Sequence, residues 1–485
     1  MTTTPTLQRT TSPDRRSSIE KYEDDKVENV DVAVLEAAEE DKRAGDYSGF
    51  TQKTDPAEIK LQPSLWGMYW LNYLDRNAIA LAKLSSIEKD LGLSDVQYQT
   101  AVSILFVGYV FVGVPSNMLI TRLHPGYYLC AIMLTWAVLS VCTAFARNYV
   151  GLLMTRFFLG ALEAPYYPGA LLIISNFYTR TEVATRIAIL YTGNILATAF
   201  AGMIAAGIFQ LDRKRGYAGW QWLFIIQGAV TGLVAIMCFP FLPNKPHNTR
   251  WLSPEERVLA TDRLLRDKVD EGPKGSPWQG LKQAVSDYRV WIFIFAFNMH
   301  LSANGFKNFM PSVVNTLGFS QIITLCLICP PYLLAGAFTL YISWSSGKHN
   351  ERTWHITVCK IIAIIGFALA PATLNTGVRY FAMVVFSVGT YGVNSILLGW
   401  AATVCSQTQE KKAVVMALMA SIGTGSFIYT PYLFRDDDKP RYTIAMSAMA
   451  VFSLMTIIAT WALRFILKRQ NKRIAETGSP TKYPY

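Results

Sequence analysis

Apolar residues in this chain come in long, nearly continuous runs. They fall at roughly 64–84, 98–120, 127–146, 149–170, 184–209 and 220–242, and after a polar stretch they resume near 288–316, 321–345, 353–374, 378–403, 412–434 and 441–467. Each run is close to the ~20 residues a helix needs to cross the ~30 Å hydrocarbon core of a bilayer. The pattern predicts an all-α polytopic membrane protein of twelve transmembrane helices, in two bundles of six. The expected organisation is a disordered cytoplasmic tail at 1–60, a first six-helix bundle at 61–242, a cytoplasmic linker at 243–287, a second six-helix bundle at 288–467 and a tail at 468–485. Inside the linker, SPEERVLATDRLLRD opens with Ser253 as a cap and Pro254 at the first helical position, which predicts a surface helix.

Composition agrees with this reading. Of 485 residues only 16% are charged and 51% are hydrophobic, against about 25% charged in an ordinary globular protein; mean hydropathy is +0.24. A soluble enzyme of this length needs more charge to cover its surface. The net charge of +11 points to no nucleic acid partner, because the basic residues sit in tails and loops flanking apolar runs. Their excess on one side places both termini in the cytoplasm. The polar first 60 residues hold no apolar core for a cleavable signal peptide. All seven cysteines lie in apolar stretches, so a secreted disulfide framework is excluded; Cys326 and Cys329 read as core. The five histidines are scattered without metal-ligand spacing or a paired nucleophile, so no enzyme, metal or cofactor is expected.

Polar residues inside the runs carry the functional signal, since a charge at mid-bilayer costs about 2.5–3.5 kcal/mol on insertion scales. In the first span, YWLNYLDRNAIALA, helical spacing puts Asn72, Asp75 and Arg76 within about a third of the circumference, with Tyr69 one to two turns below. Either Asp75 and Arg76 neutralise each other, or Arg76 meets an anionic ligand while Asp75 exchanges a proton. In the fourth span Arg156 and Glu163 share a face two turns apart, with Gly160 between them and Pro165 and Pro168 bending the helix. Glu163 is either a proton carrier or a permanent partner of Arg156. The seventh span carries Asn298, His300, Asn304, Lys307 and Asn308. Lys360 in the ninth has the length to snorkel. Tyr391, Asn394 and Ser395 in the tenth, and Tyr429 and Tyr432 near Pro431, are weaker candidates for cavity lining.

Several long segments resemble the major facilitator superfamily, in its anion:cation symporter division and the fungal allantoate permease branch. They are LDR at Leu74–Arg76, DLGLSDVQYQTAVSILFVGYVFVGVPSNMLITRLHP at 90–125, RFFLGALEAPYYPG at 156–169, GWQWLFIIQG at 219–228, NGFKNF at 304–309 and PYLFRDDDKPRY at 431–442. The resemblance implies a midplane site between the two bundles that opens alternately to each side, with proton coupling and anion binding at Asp75, Arg76 and Glu163. It also implies a plasma-membrane protein that works as a monomer. The chain departs from the family pattern at Ala78, Leu81, Gly113, Gln227, Ala420 and Thr424, where polar residues are common, and at Lys307, an unusual charge.

The expected function is secondary active transport, the proton-coupled uptake of a small organic anion by alternating access. Substrate binding is expected from Arg76, Asn72, Tyr69, Asn304, Asn308, Tyr391 and Asn394, and proton coupling from Asp75, Glu163 and Arg156. The partners are then an organic carboxylate, protons and the lipid bilayer. An efflux carrier for a secondary metabolite is the nearest alternative, and a non-transporting nutrient sensor a remote one.

Overall fold

The computed structural model describes residues 56–476 apart from 121–122, 179, 244–248, 255–256, 258–259 and 262–276. Helical segments trace twelve passes. The first six are α1 (Pro56–Ala82), α2 (Asp95–Ile120), α3 (Pro125–Thr143), α4 (Tyr149–Glu163 continued by Tyr166–Phe177), α5 (Arg180–Ile208) and α6 (Gly219–Cys238). The second six are α7 (Tyr288–Ala303, then a 3-10 turn Gly305–Asn308 and Met310–Asn315), α8 (Gln321–Leu327 and Cys329–Lys348), α9 (Thr353–Ala372), α10 (Thr376–Tyr391 and Asn394–Val404), α11 (Gln409–Thr424, Ser426–Tyr429 and a 3-10 turn Thr430–Leu433) and α12 (Thr443–Glu476).

Ten of the twelve are long and apolar enough to cross a membrane. The other two are α1, which carries Asp75 and Arg76, and α7, whose first segment stops after 16 residues. The first gives up apolar character to its polar groups, and the second gives up length to a broken axis. Large side chains exposed on the helices are apolar, among them Val138, Leu233, Ile236, Leu340, Ile365, Phe381 and Ile458, as a lipid-facing surface requires.

Local chemistry starts the helices where it should. Asn148, Asp287, Asn375 and Thr408 cap α4, α7, α10 and α11, each side chain accepting from a backbone N–H of the first turn. Helix α4 breaks between Glu163 and Tyr166, at Pro165.

Two expected boundaries move. Helix α1 begins at Pro56, inside the stretch assigned to the tail, and the rest of that stretch lies outside the described residues. At the other end α12 runs to Glu476, nine residues past the last apolar run, because KRQNKRIAE consists mostly of good helix formers with its basic residues near the helix C-terminus. In the linker, Pro254, Arg257, Ala260 and Thr261 are helical and the Arg257 N–H donates to Ser253 O at 3.0 Å; the remainder of that segment lies outside the described residues. A second short helix, Pro277–Ser286, lies against α11.

Packing sorts the passes into two sets. In the first, α1 packs on α5 and α6, α2 on α4, and α3 on α4 and α6; in the second, α7 packs on α11 and α12, α8 on α10, and α9 on α10 and α12. The sets meet through α5 against α8 and through α2 against α11. The α2–α4 crossing is closest at two glycines. A Cβ on Gly160 would stand 1.9 Å from Leu105 O, and one on Gly108 would stand 2.2 Å from Phe157 O. This approach sets Tyr109 and Glu163, each within one turn of its glycine, toward α1.

Candidate functional site

Arg76 and Glu163 join α1 to α4 at mid-helix. Arg76 Nε donates to Glu163 Oε2 at 2.8 Å, and Nη2 stands 2.8 Å from the same oxygen. The Arg76 side chain keeps 11% exposure while that of Glu163 has none. The guanidinium also lies 5.0 Å from the Tyr73 ring and 5.1 Å from the Tyr109 ring. Neither ion pair suggested by sequence proximity forms. Asp75 turns away from Arg76 and accepts from Thr231 Oγ1 of α6 at 3.1 Å. Arg156 makes no bond to Glu163: it is fully buried, its three guanidinium nitrogens have no hydrogen-bond partner, and it lies 5.2 Å over the Phe224 ring. Adjacent positions on a helix point about 100° apart, so Asp75 and Arg76 address different neighbours.

Among the described residues the Arg156 nitrogens and both side-chain amide atoms of Gln227 are buried without a hydrogen-bond partner, while Asp75 faces Trp136 and Glu163 faces Asn72 with loosely formed bonds. Buried polar groups in folded proteins are almost always satisfied. Such a concentration marks a place built to receive water, a proton or a polar ligand. Tyr69 packs edge-on to Tyr73 at 5.1 Å and stacks near Tyr166 and Tyr167 at 6.0 and 5.5 Å, forming an aromatic wall below Asn72.

The second half contributes from the breaks in α7 and α11. Asn304 ends the first segment of α7, with its amide 3.4 Å from His300 Nε2. Lys307 and Asn308 sit on the following 3-10 turn. Lys307 Nζ lies 4.0 Å over the Phe427 ring, which packs on Phe106 of α2 at 4.9 Å. Lys360 does not snorkel; it is fully buried and its Nζ has no partner. Asn394 bridges the halves, donating to the Tyr191 hydroxyl of α5 at 3.3 Å. Tyr391 packs edge-on to Tyr332 at 5.7 Å. Ser395 bonds Ser343 instead, and Tyr429 bonds Ser302 and Asn298, all at exposed or part-buried positions. Sequence reasoning missed Tyr73, Tyr109, Tyr191 and Thr231, because an aromatic or a threonine in an apolar span carries no insertion cost to flag it.

At the end opposite the termini the halves are clasped. Lys83, just beyond α1, lies 3.0 Å from Glu88, 3.7 Å from Asp95 and 3.4 Å from Asp436 of the α11–α12 loop. The Asp436 N–H donates to Asp95, and Gln99 donates to Phe434 O, both at 3.0 Å. Gln321 donates to Leu84 O at 2.8 Å, and Tyr98 of α2 packs edge-on to Phe309 of α7 at 6.3 Å. Burial pushes Asp436 up, but its hydrogen bond to Lys439 and the charge of Lys83 outweigh that and hold it below the ordinary carboxylate value.

Comparison with known proteins agrees with this architecture. Residues 65–431 match the family model described as Major Facilitator Superfamily. The chain is 30% identical over 473 residues to MFS transporter prlL of Fungal sp. (strain NRRL 50135), covering 93% of each chain. It is 28% identical to major facilitator-type transporter hxnP of Emericella nidulans, covering 87% of this chain and 86% of that one. Among solved structures, a bacterial homolog to the human lysosomal transporter Spinster, in an inward-facing and unoccupied conformation, superposes with a TM-score of 0.66 at 18% identity, covering 86% of this chain and 99% of that chain.

Proposed function

The chain belongs to the Major Facilitator Superfamily, and we propose that it is a proton-coupled carrier taking up a small organic anion, a carboxylate, by alternating access. The observation that carries this is the convergence of two Arg76 nitrogens on Glu163 Oε2, which leaves Glu163 Oε1 on the side of neutral Asn72. A substrate carboxylate reaches Arg76 by replacing Glu163, since the planar guanidinium fork suits either acid. Displaced, Glu163 is a buried carboxylate without its counter-charge, and such a group takes a proton. Anion and proton therefore bind together and leave together, which is the linkage a symporter needs. Asp75, buried beside Arg156 and held by Thr231, is a second proton site in the same shell.

The organic anion class, the proton and the uptake direction accord with the segments of the sequence that resemble the anion:cation symporter division and its allantoate permease branch. Direction follows from gradients, about 1.4 kcal/mol for each proton per pH unit, so the same geometry serves export when the gradient is reversed. The plasma membrane and cytoplasmic termini belong to this reading. Its test is uptake by liposomes holding the purified chain: an inwardly directed proton gradient should concentrate a carboxylate in wild type, and uptake indifferent to that gradient would remove the proton from the account.

A further inference from the structure

Building on that carrier reading, we infer that the transported acid is a dianion, and that Lys307 with Asn308 forms a second anion site for the acid group Arg76 does not hold. The charges deep in the described spans do not balance. Arg76, Arg156, Lys307 and Lys360 are basic, against only Asp75 and Glu163, an excess of two. Both acids belong to the first half. Lys307 has no acidic partner among the described residues, and Lys360, fully buried, has none either. Unpaired charge in a bundle interior is costly unless a ligand offsets it.

Position supports the same assignment. Lys307 stands on the 3-10 turn Gly305–Asn308 that interrupts α7, facing the interruption in α11, where a Cβ on Gly305 would lie 2.7 Å from Thr430. Broken helices in carriers of this kind supply the groups that meet cargo. The ammonium rests on Phe427, and that ring meets Phe106 of the first half. Arg76 rests in the same way against Tyr73 and Tyr109. Both cations keep partial exposure, and they lie within electrostatic reach of each other. Two like charges, each resting on aromatic rings, repel unless an anion lies between them. Asn308, the next residue, offers a buried Nδ2 with no acceptor. Arg76 already has Glu163 as a competitor, whereas Lys307 has none, so the second acid group binds without displacing anything.

The test is thermal-shift titration of the purified full-length chain at neutral pH with matched pairs of probes: succinate against butyrate, adipate against hexanoate, and phthalate against benzoate. At least one diacid should bind about tenfold or more tightly than its monoacid partner. Lys307→Met should abolish that preference, leaving each diacid to bind no more tightly than its monoacid partner, and Lys307→Arg should keep it. Equal affinities within every pair in wild type would overturn the inference, as would a diacid preference that survives Lys307→Met. Should Lys307→Met not fold, the wild-type comparison still decides. Monoacid binding with proton-driven uptake but no diacid preference would remove this inference alone; failure of every acid to bind would remove the carrier reading with it.

Discussion

Arg76 and Glu163 meet through one oxygen: Nε and Nη2 both lie 2.8 Å from Oε2, and Oε1 takes no hydrogen bond from Arg76. The pair is thus half-engaged, able to give its cation to an incoming carboxylate and its second oxygen to a proton. Arg76→Lys keeps the charge and loses the fork. It should raise KM for the transported acid by about ten- to a hundredfold, with a smaller change in maximal rate, measured as uptake into liposomes.

The Gly108–Gly160 crossing holds Tyr109 and Glu163 against α1. A methyl group on Gly160 has nowhere to go short of Leu105 O, so α2 and α4 must separate. Gly160→Ala should cost about 1–3 kcal/mol and lower the thermal unfolding temperature in detergent, whereas an alanine at Gly207, with nothing within 4 Å of its Cβ, should not.

Asp287 ties the linker end to α7 and α11, accepting from the Arg289 backbone and side chain and from Lys411 Nζ at 2.6 Å. Burial alone raises its carboxyl, but the bonds from Arg289 and Lys411 prevail and bring it from 3.8 down to about 2. A carboxylate depressed on folding stabilises above its unfolded value and loses that contribution as pH falls through the folded one. Asp287→Asn should therefore destabilise by about 1–2 kcal/mol, allowing for solvent screening. The difference from wild type should be constant at neutral and mildly acidic pH and should close only between pH 3.8 and about 2.

Lys83 is the hub of the clasp at the end opposite the termini. Lys83→Met takes the cation from Glu88 and Asp95 and the link to Asp436, which keeps only Lys439 of its own loop, and should shift the population toward opening there. Spin labels at Ser94→Cys and Ser320→Cys, one on each half, should report a broadened and longer distance distribution. An unchanged distribution would show that the apolar contact of Tyr98 with Phe309 and the hydrogen bonds of Gln99 and Gln321 close this end without the ions.

Much of this was legible in the sequence. Twelve apolar runs anticipated twelve passes, and insertion cost singled out Asp75, Arg76, Arg156 and Glu163 before any geometry. The partner of each charge was not legible. Proximity along the chain suggested Asp75 with Arg76 and Glu163 with Arg156, while helix packing gave Asp75 to Thr231 and Glu163 to Arg76. The clasp was equally hidden, because Lys83 and Asp436 are 353 residues apart and each reads alone as a solvated loop charge. Helix ends were misjudged where polar residues with good helical propensity extend an apolar span, as at 468–476.

The central claim is that anion and proton exchange at one ion pair, and proton flux tests it most directly. Liposomes holding the purified chain and an internal pH dye, with no imposed gradient, are given the acid that binds most tightly in the paired titration. The interior should acidify beyond protein-free controls as the acid enters, and Glu163→Gln should lower the acidification for each acid entered. Acid entry without proton entry in wild type, or undiminished acidification in Glu163→Gln, would contradict it.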